Sequence, residues 1–392
     1  MARLGSIELV LRRMIYFDNN ATTPVDQRVL DAMLPYFTSH FGNAASRQHE
    51  SGQNANDAVG VSRDILADIL GVDTEEIVFT SGATEACNLA IKGIFVSYRR
   101  KGSHIVVVGT EHKAVLDCCS YLVEKGAEIT YLDVDSNGAI DLKKLEDVIR
   151  DDTILVIAMW ANNETGVIHP VEEIGAICAR KGTLLFSDAT QAVGKTSVRP
   201  REVGVQLLAL SAHKFYGPKG VGALYMSGKS PRVKVDPLIH GGGHERGHRS
   251  GTLNVPGIIG LGKALEIAWD GHEAENNRLR ALRDKLEGGL LSIERTELNN
   301  RCVSRMPHVT NIQFAGIDGE VLMDSLQDEL AVASGSACTA ADPDPSHVLM
   351  AMGLSREEAG SSLRFSLGRM NTEEEVLRVI DIVANQVTQL RQ

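Results

Sequence analysis

From about residue 55 to 230, short apolar runs alternate with longer stretches of mixed polarity. Ile77–Phe79, Ile105–Val108, Ile154–Ala158, Leu184–Phe186 and Leu207–Leu210 are each bounded by Gly, Asp or Ser. They are too short for independent helices and read as buried strands. Between them, Ser62–Leu70 and Asp141–Arg150 are amphipathic at helical spacing. This alternation predicts an α/β fold, with a mostly parallel sheet covered by helices. Further on, a long helical stretch is predicted over about Ile258–Leu291. Strand candidates follow at Thr310–Phe314 and Leu363–Ser366, and then a helix near Thr372–Leu390. These predict a smaller α+β domain. The expected division is 14–30 as an N-terminal segment joining the small domain, 31–262 as the large domain, and 263–392 as the small one. No internal repeat or low-complexity tract interrupts the pattern.

In sheets of this kind, ligands collect beyond the carboxyl ends of the strands. Polar clusters stand at those ends. Thr80-Ser-Gly-Ala-Thr84 follows the first strand, Glu111-His112 the second and Asn162-Asn163 the third. Asp188 follows the fourth, and Ser211-Ala-His-Lys214 the fifth. Five polar groups at five strand ends mark a site.

Composition narrows the choice of partner. The formal charge is −11, from 40 basic against 51 acidic residues, which argues against a nucleic-acid backbone as main partner. No run of 18 apolar residues occurs, so no membrane span is expected. The six cysteines form no C-x-x-C pair and no regular framework, which favours a reducing, cytoplasmic setting. Cys87, Cys118, Cys119 and Cys178 read as small buried hydrophobes. Residues 1–13 lack a signal-peptide core and read as a disordered extension or an overcalled start.

Lys214, at a strand end ahead of Gly217-Pro-Lys-Gly220, is by itself an ordinary solvated lysine or a Schiff-base amine. Asp188 strengthens the second reading, because pyridoxal phosphate needs an acidic partner for its ring nitrogen. Asp188 equally suits a helix N-cap. Thr80–Thr84 reads as a phosphate cradle or a plain capping loop, and is no P-loop. His112 is a ring-stacking or acid–base candidate, or a hydrogen-bonded turn residue. His240-Gly-Gly-Gly-His244 and His248 present no rigid metal-ligand set. That run is expected to be a glycine-rich loop whose Arg249, Ser250 and Thr252 reach an anion, with no metal bound.

Several segments, in order from Met14 onward, carry a resemblance. They include Asp18-Asn-Asn-Ala-Thr-Thr-Pro24, Thr80-Ser-Gly-Ala-Thr-Glu85, Thr110-Glu-His-Lys-Ala-Val115 and Asn162-Asn-Glu-Thr-Gly166. Asp188-Ala-Thr-Gln191, Ser211-Ala-His-Lys-Phe-Tyr-Gly-Pro-Lys-Gly220, Ser334-Gly-Ser-Ala-Cys-Thr339 and Ser361-Ser-Leu-Arg-Phe-Ser-Leu-Gly368 complete the set. Together they resemble the cysteine desulfurases of the class-V aminotransferase family, in the subgroup with a long cysteine loop. The resemblance implies a fold-type-I pyridoxal 5'-phosphate homodimer with a large seven-stranded domain and sites at the subunit interface. Lys214 would hold the cofactor covalently, Asp188 would pair with its ring nitrogen, and Gln191 would bond its ring hydroxyl. His112 would stack on the ring and move protons. Thr84, Ser211 and His213 would bind the phosphate, joined by Thr252 from the partner subunit, and Ala83 and Asn163 would also contact the cofactor. Asn163 and Arg364 would hold the substrate carboxylate, the arginine through its bidentate fork.

The implied reaction converts L-cysteine to L-alanine and leaves the sulfur on Cys338. That residue sits among small residues and prolines, which read as an irregular loop. About five residues between hinge and cysteine would swing it roughly 17 Å. A free thiol has a pKa of about 8.5, so activation is needed, with His112 as the candidate. The sulfur would pass to an iron–sulfur scaffold protein or another persulfide acceptor, touching nucleic acid only through tRNA-thiolation acceptors. Met159–Gly166 leans towards a nitrogenase-associated branch while other segments look housekeeping. The end at Gln392 is shorter than the scaffold-docking tail of the latter. A selenocysteine lyase, an aminotransferase and an idle scaffold on this fold stand as alternatives. Intact Lys214, Asp188 and Cys338 argue against the last.

Overall fold

The computed structural model describes residues 14–229, 231–301, 304–335 and 345–392. The strands are β1 (Ile15–Tyr16), β2 (Ile77–Thr80), β3 (His104–Val108), β4 (Glu128–Leu132), β5 (Thr153–Ile157), β6 (Leu184–Asp188), β7 (Leu207–Ser211), β8 (Gly222–Met226), β9 (Thr296–Leu298), β10 (Val309–Phe314), β11 (Leu330–Ala331) and β12 (Ser362–Ser366). The helices are α1 (Gln27–Met33), α2 (Glu50–Leu70), α3 (Ala83–Tyr98), α4 (Lys113–Val123), α5 (Leu142–Val148), α6 (Val171–Lys181), α7 (Val255–Asp270), α8 (His272–Leu291), α9 (Gly319–Leu326), α10 (His347–Ala351), α11 (Arg356–Gly360) and α12 (Glu373–Leu390).

The large sheet has seven strands in the order β2-β8-β7-β6-β5-β3-β4. Only β8 runs against its neighbours β2 and β7; the other pairings are parallel. Its apolar runs are continuous because both faces are covered. On β3, Ile105 and Val107 enter one core while Val106 and Val108 enter the other, as the two-residue side-chain period requires. All five strands expected from the apolar runs are present. Two more, β4 and β8, were not expected. β4 is an edge strand with mostly solvent-facing positions, and β8 lies just beyond a glycine-rich turn.

The expected long helix over about 258–291 is two helices. Gly271 separates α7 from α8, its N–H returning to the Trp269 carbonyl as the C-cap of α7. Ala264, Leu265 and Ala268 of α7 belong to the larger core, so packing on the large side continues past 262/263 as far as Ala268. The smaller core is built on the antiparallel sheet β12-β10-β9, with α8 and α12 packed against it. β1 pairs with β11, and Ile15 and Phe17 complete this core, while Val29 and Met33 of α1 already lie in the larger one. Among the described residues no helix is long and apolar enough to cross a membrane.

Candidate active site

A cleft of about 430 Å³ opens at the carboxyl ends of the parallel strands. Ala83, Thr84, His112, Asn163, Asp188, Gln191, Ser211, His213, Lys214 and Arg364 all line it. These residues come from six separate stretches of chain, and the sheet brings them together.

One wall is the start of α3. Its N-cap is Gly82, at φ 148°, which provides no side-chain cap for the first-turn N–H groups. A helix start of this kind carries partial positive charge and free donors, a ready seat for an anion. Ser211 at the end of β7 faces it closely, since a Cβ added at Gly82 would lie 3.6 Å from Ser211 Oγ. His213 Nδ1 stands 3.1 Å from Thr22 Oγ1. Burial, and then the charges of Lys214, Lys219 and Lys195, lower the His213 pKa to about 4, so it is a neutral ring.

Asp188 closes β6 with its side chain buried. Its Oδ1 accepts the Thr190 N–H at 2.9 Å, and its Oδ2 lies 4.0 Å from Cys87 Sγ. No helix follows Asp188, so the helix-cap alternative is not what is seen; the one oxygen closes a turn while the residue lines the cleft. Beneath it, Glu111 is wholly buried and accepts the Met159 N–H. Burial raises its carboxyl well above the usual range; the bond from Met159 opposes the rise and the charge of Asp188 adds to it. His112 is the N-cap of α4. Its Nδ1 accepts the Ala114 N–H at 3.1 Å, which leaves the proton of the neutral ring on Nε2.

The opposite wall comes from the N-terminal segment, which the strand-end argument missed. The Asn20 and Ala21 carbonyls accept from Lys214 Nζ at 2.6 and 2.8 Å. Asn20 O also accepts from Gln191 Nε2 at 3.0 Å. Arg364, on β12 and 1% exposed, donates to Asp18 Oδ1 at 2.6 Å and to the Asn163 carbonyl at 3.1 Å. Its Nε, also buried, has no partner among the described residues. The signal for this wall was the Asp18–Pro24 string itself, whose carbonyls rather than side chains do most of the work.

Thr252 is exposed and does not line the cleft. The Arg249 guanidinium, expected to reach an anion, is paired within this chain with Glu85, Nε donating at 2.8 Å. The same loop is tied down by Glu245, which takes a bidentate bond from Arg63 and the Phe79 N–H. Cys87, Cys118, Cys119 and Cys178 are buried and free, and burial pushes each thiol up, away from reactivity. Cys338 lies outside the described residues. The chain approaching it passes Ala333, which exchanges backbone hydrogen bonds with Arg364. Among the described residues no cluster of His, Cys, Asp and Glu is arranged to hold a metal ion.

Comparison with known proteins decides the family. The model of class-V aminotransferases matches residues 15–379. The chain belongs to the class-V aminotransferase family. This class-V chain is 52% identical over 379 residues to the cysteine desulfurase IscS of Anaeromyxobacter sp. (strain Fw109-5), covering 96% of this chain and 93% of that protein. It is also 52% identical over 380 residues to that of Pasteurella multocida (strain Pm70), covering 96% and 94%. Among solved structures, a NifS-like protein superposes with a TM-score of 0.90 at 39% identity, covering 96% of this chain and all of the other. SspA in complex with cysteine superposes at 0.79 with 35% identity, covering 90% and 98%.

Proposed function

We propose that this enzyme is a cysteine desulfurase that uses pyridoxal 5'-phosphate and hands the sulfur of L-cysteine to Cys338. The observation that carries the reading is the convergence of Lys214, Asp188 and the Arg364 fork on one cleft. The 52% identity to named cysteine desulfurases over nearly the whole chain supports the substrate.

The residues present fit the cofactor. The uncapped start of α3, with Ala83, Thr84, Ser211 and His213, suits its phosphate. Asp188 suits the ring nitrogen, Gln191 the ring hydroxyl, and His112 a face of the ring. Thr252 of a second subunit is assigned to the phosphate, which makes the active unit a homodimer. The partnerless Nε of Arg364 is a donor waiting for an acceptor, and a substrate carboxylate supplies one. Asn163 lies beside it. Pyridoxal phosphate, when bound, supplies an electron sink for the pair left when the Cα proton departs.

Around that sink the chain's own groups divide the labour. Arg364 and Asn163 orient the substrate by its carboxylate. Lys214 Nζ would take the Cα proton and return it to that carbon after the sulfur has left. Cys338 Sγ forms an S–S bond to the substrate sulfur as the C–S bond breaks, and the thiol proton replaces sulfur on the carbon skeleton. The products balance as alanine and a Cys338 persulfide. Gly335 precedes Cys338 by three residues, a span of at most about 10 Å, and its neighbour Ala333 is bonded to the Arg364 backbone. The described chain thus ends, three residues short of Cys338, close to the Ala333–Arg364 pairing beside the carboxylate site. His112 Nε2 is the group assigned to the thiol proton. The persulfide then goes to an iron–sulfur scaffold protein or another acceptor.

Purified protein supplied with pyridoxal phosphate, cysteine and a reductant is expected to release alanine and sulfide in equal amounts. Cys338→Ala is expected to lose both. A cofactor-loaded native protein that makes no alanine overturns the reading.

A further inference from the structure

Lys214 borders two cavities. Behind it, on the side away from the cofactor cradle, lies a second one of about 340 Å³ between the two units, lined also by Lys195 and His308. Lys195 is only partly buried as a residue, yet its amine is enclosed by protein. Its Nζ is 2.9 Å from Gln191 Oε1 and 3.2 Å from His308 Nε2. His308 Nε2 in turn is 2.8 Å from Asn20 Oδ1. With Asn20 O accepting from both Gln191 and Lys214, these groups form a closed ring of contacts around Asn20.

The proton positions in that ring follow from its fixed ends. Asn20 Nδ2 donates to the Asn163 carbonyl at 2.9 Å, so Oδ1 is the atom facing His308, and His308 Nε2 must carry a proton. His308 Nδ1 is buried without a partner, which agrees with a bare lone pair there, since an orphaned N–H is the costlier alternative. An ammonium on Lys195 would point a proton at a nitrogen that already bears one. A neutral amine instead donates to Gln191 Oε1 and turns its lone pair to His308, whose single Nε2–H goes mainly to Asn20 Oδ1 at 2.8 Å and is shared with the amine at 3.2 Å. Burial, and then the charges of Lys214 and Arg364, act in the same sense and lower the Lys195 pKa to about 7.

We propose that Lys195 is a positioning residue for the desulfurase reaction, a second amine that in its neutral form holds Gln191 and adds no further charge beside Lys214. This inference rests on the pyridoxal-phosphate reading above. Lys195 acts through Gln191, whose Oε1 it fixes, and through the charge felt at Lys214 Nζ. The charged and titratable groups around it are His213, Lys214 and Lys219 past β7, Arg364 on β12, His308 ahead of β10 and, beyond His308, Arg283. Across the second cavity stand Arg28 and Arg369, both paired with Asp26, then Glu275, paired with Arg278, and Asp270 and His272.

The test is the visible absorbance of the cofactor-loaded protein as a function of pH, which reports the proton at Lys214 Nζ. Lys195→Arg places a permanent cation beside Lys214 and is expected to lower the midpoint by about one pH unit. Lys195→Met removes the charge at every pH, so its midpoint is expected at or above that of the native protein. His308→Leu takes away the N–H that favours the neutral amine and is expected to move the midpoint down, so the idea stays testable if the arginine variant does not fold. Midpoints that stay put, or that move together in the arginine and methionine variants, overturn the inference. Failure of the native protein to bind the cofactor at Lys214, read by borohydride trapping, sinks the underlying functional reading instead.

Discussion

At the scale of single residues, Arg364 shows how a site is built from groups that sequence reads ambiguously. An arginine inside an apolar strand is as often structural as functional. Here it is both, since one guanidinium nitrogen holds Asp18 and another the Asn163 carbonyl, leaving Nε for a ligand. Arg364→Lys keeps the charge but loses the planar fork. We expect KM for cysteine to rise about tenfold or more, roughly 1.4 kcal/mol of lost binding, with a smaller change in kcat. Steady-state alanine release measures it, and an unchanged KM would remove Arg364 from the carboxylate site. Lys214, Asp188 and His112 were legible because each follows an apolar run at a strand end. Lys195 and His308 were not. A lysine after Gly194 in a turn has the sequence signature of a solvated residue, and only the approach of His308, from the small unit, encloses it.

At the scale of elements, the apolar runs gave the strand interiors because both faces of the sheet are covered. The same argument failed at β4, whose outward positions are polar, and at β8, masked by the glycines before it. The glycine-rich loop after residue 239 was read correctly as a loop, while its Arg249 is held by Glu85 within the chain. Its shape is set by pairs across long sequence distances, Arg63 with Glu245 and Glu85 with Arg249, and no local pattern announces such pairs. Glu245 is the stronger tether, because it is buried, takes both guanidinium nitrogens and accepts the Phe79 N–H. Glu245→Ala strands the Arg63 charge and a backbone donor together. We expect it to cost about 3–5 kcal/mol of stability, read by chemical denaturation. A loss near zero would mean that water replaces the carboxylate there.

At the scale of the whole molecule, the chain wraps its site from both ends. The N-terminal segment supplies the Asn20 and Ala21 carbonyls that hold Lys214, β12 supplies Arg364, and α7 extends the larger core as far as Ala268 before α8 starts the smaller one. We therefore place the change of unit at Gly271. The cofactor cradle, by contrast, is not closed by this chain alone under the proposed function, because Thr252 is exposed and outside the cleft. If a second subunit's Thr252 serves this Lys214, then damage to the two residues must complement across subunits. Lys214→Ala kills its own site but keeps a sound Thr252, while Thr252→Glu sets a negative charge against the phosphate of its partner's site and keeps a sound Lys214. Each variant alone is expected to be nearly inactive. Unfolding and refolding them together makes half the dimers mixed, each with one intact site, so activity should recover to about a quarter of the native value. No recovery, with mixed dimers demonstrated by differential tags, would mean that each subunit completes its own site.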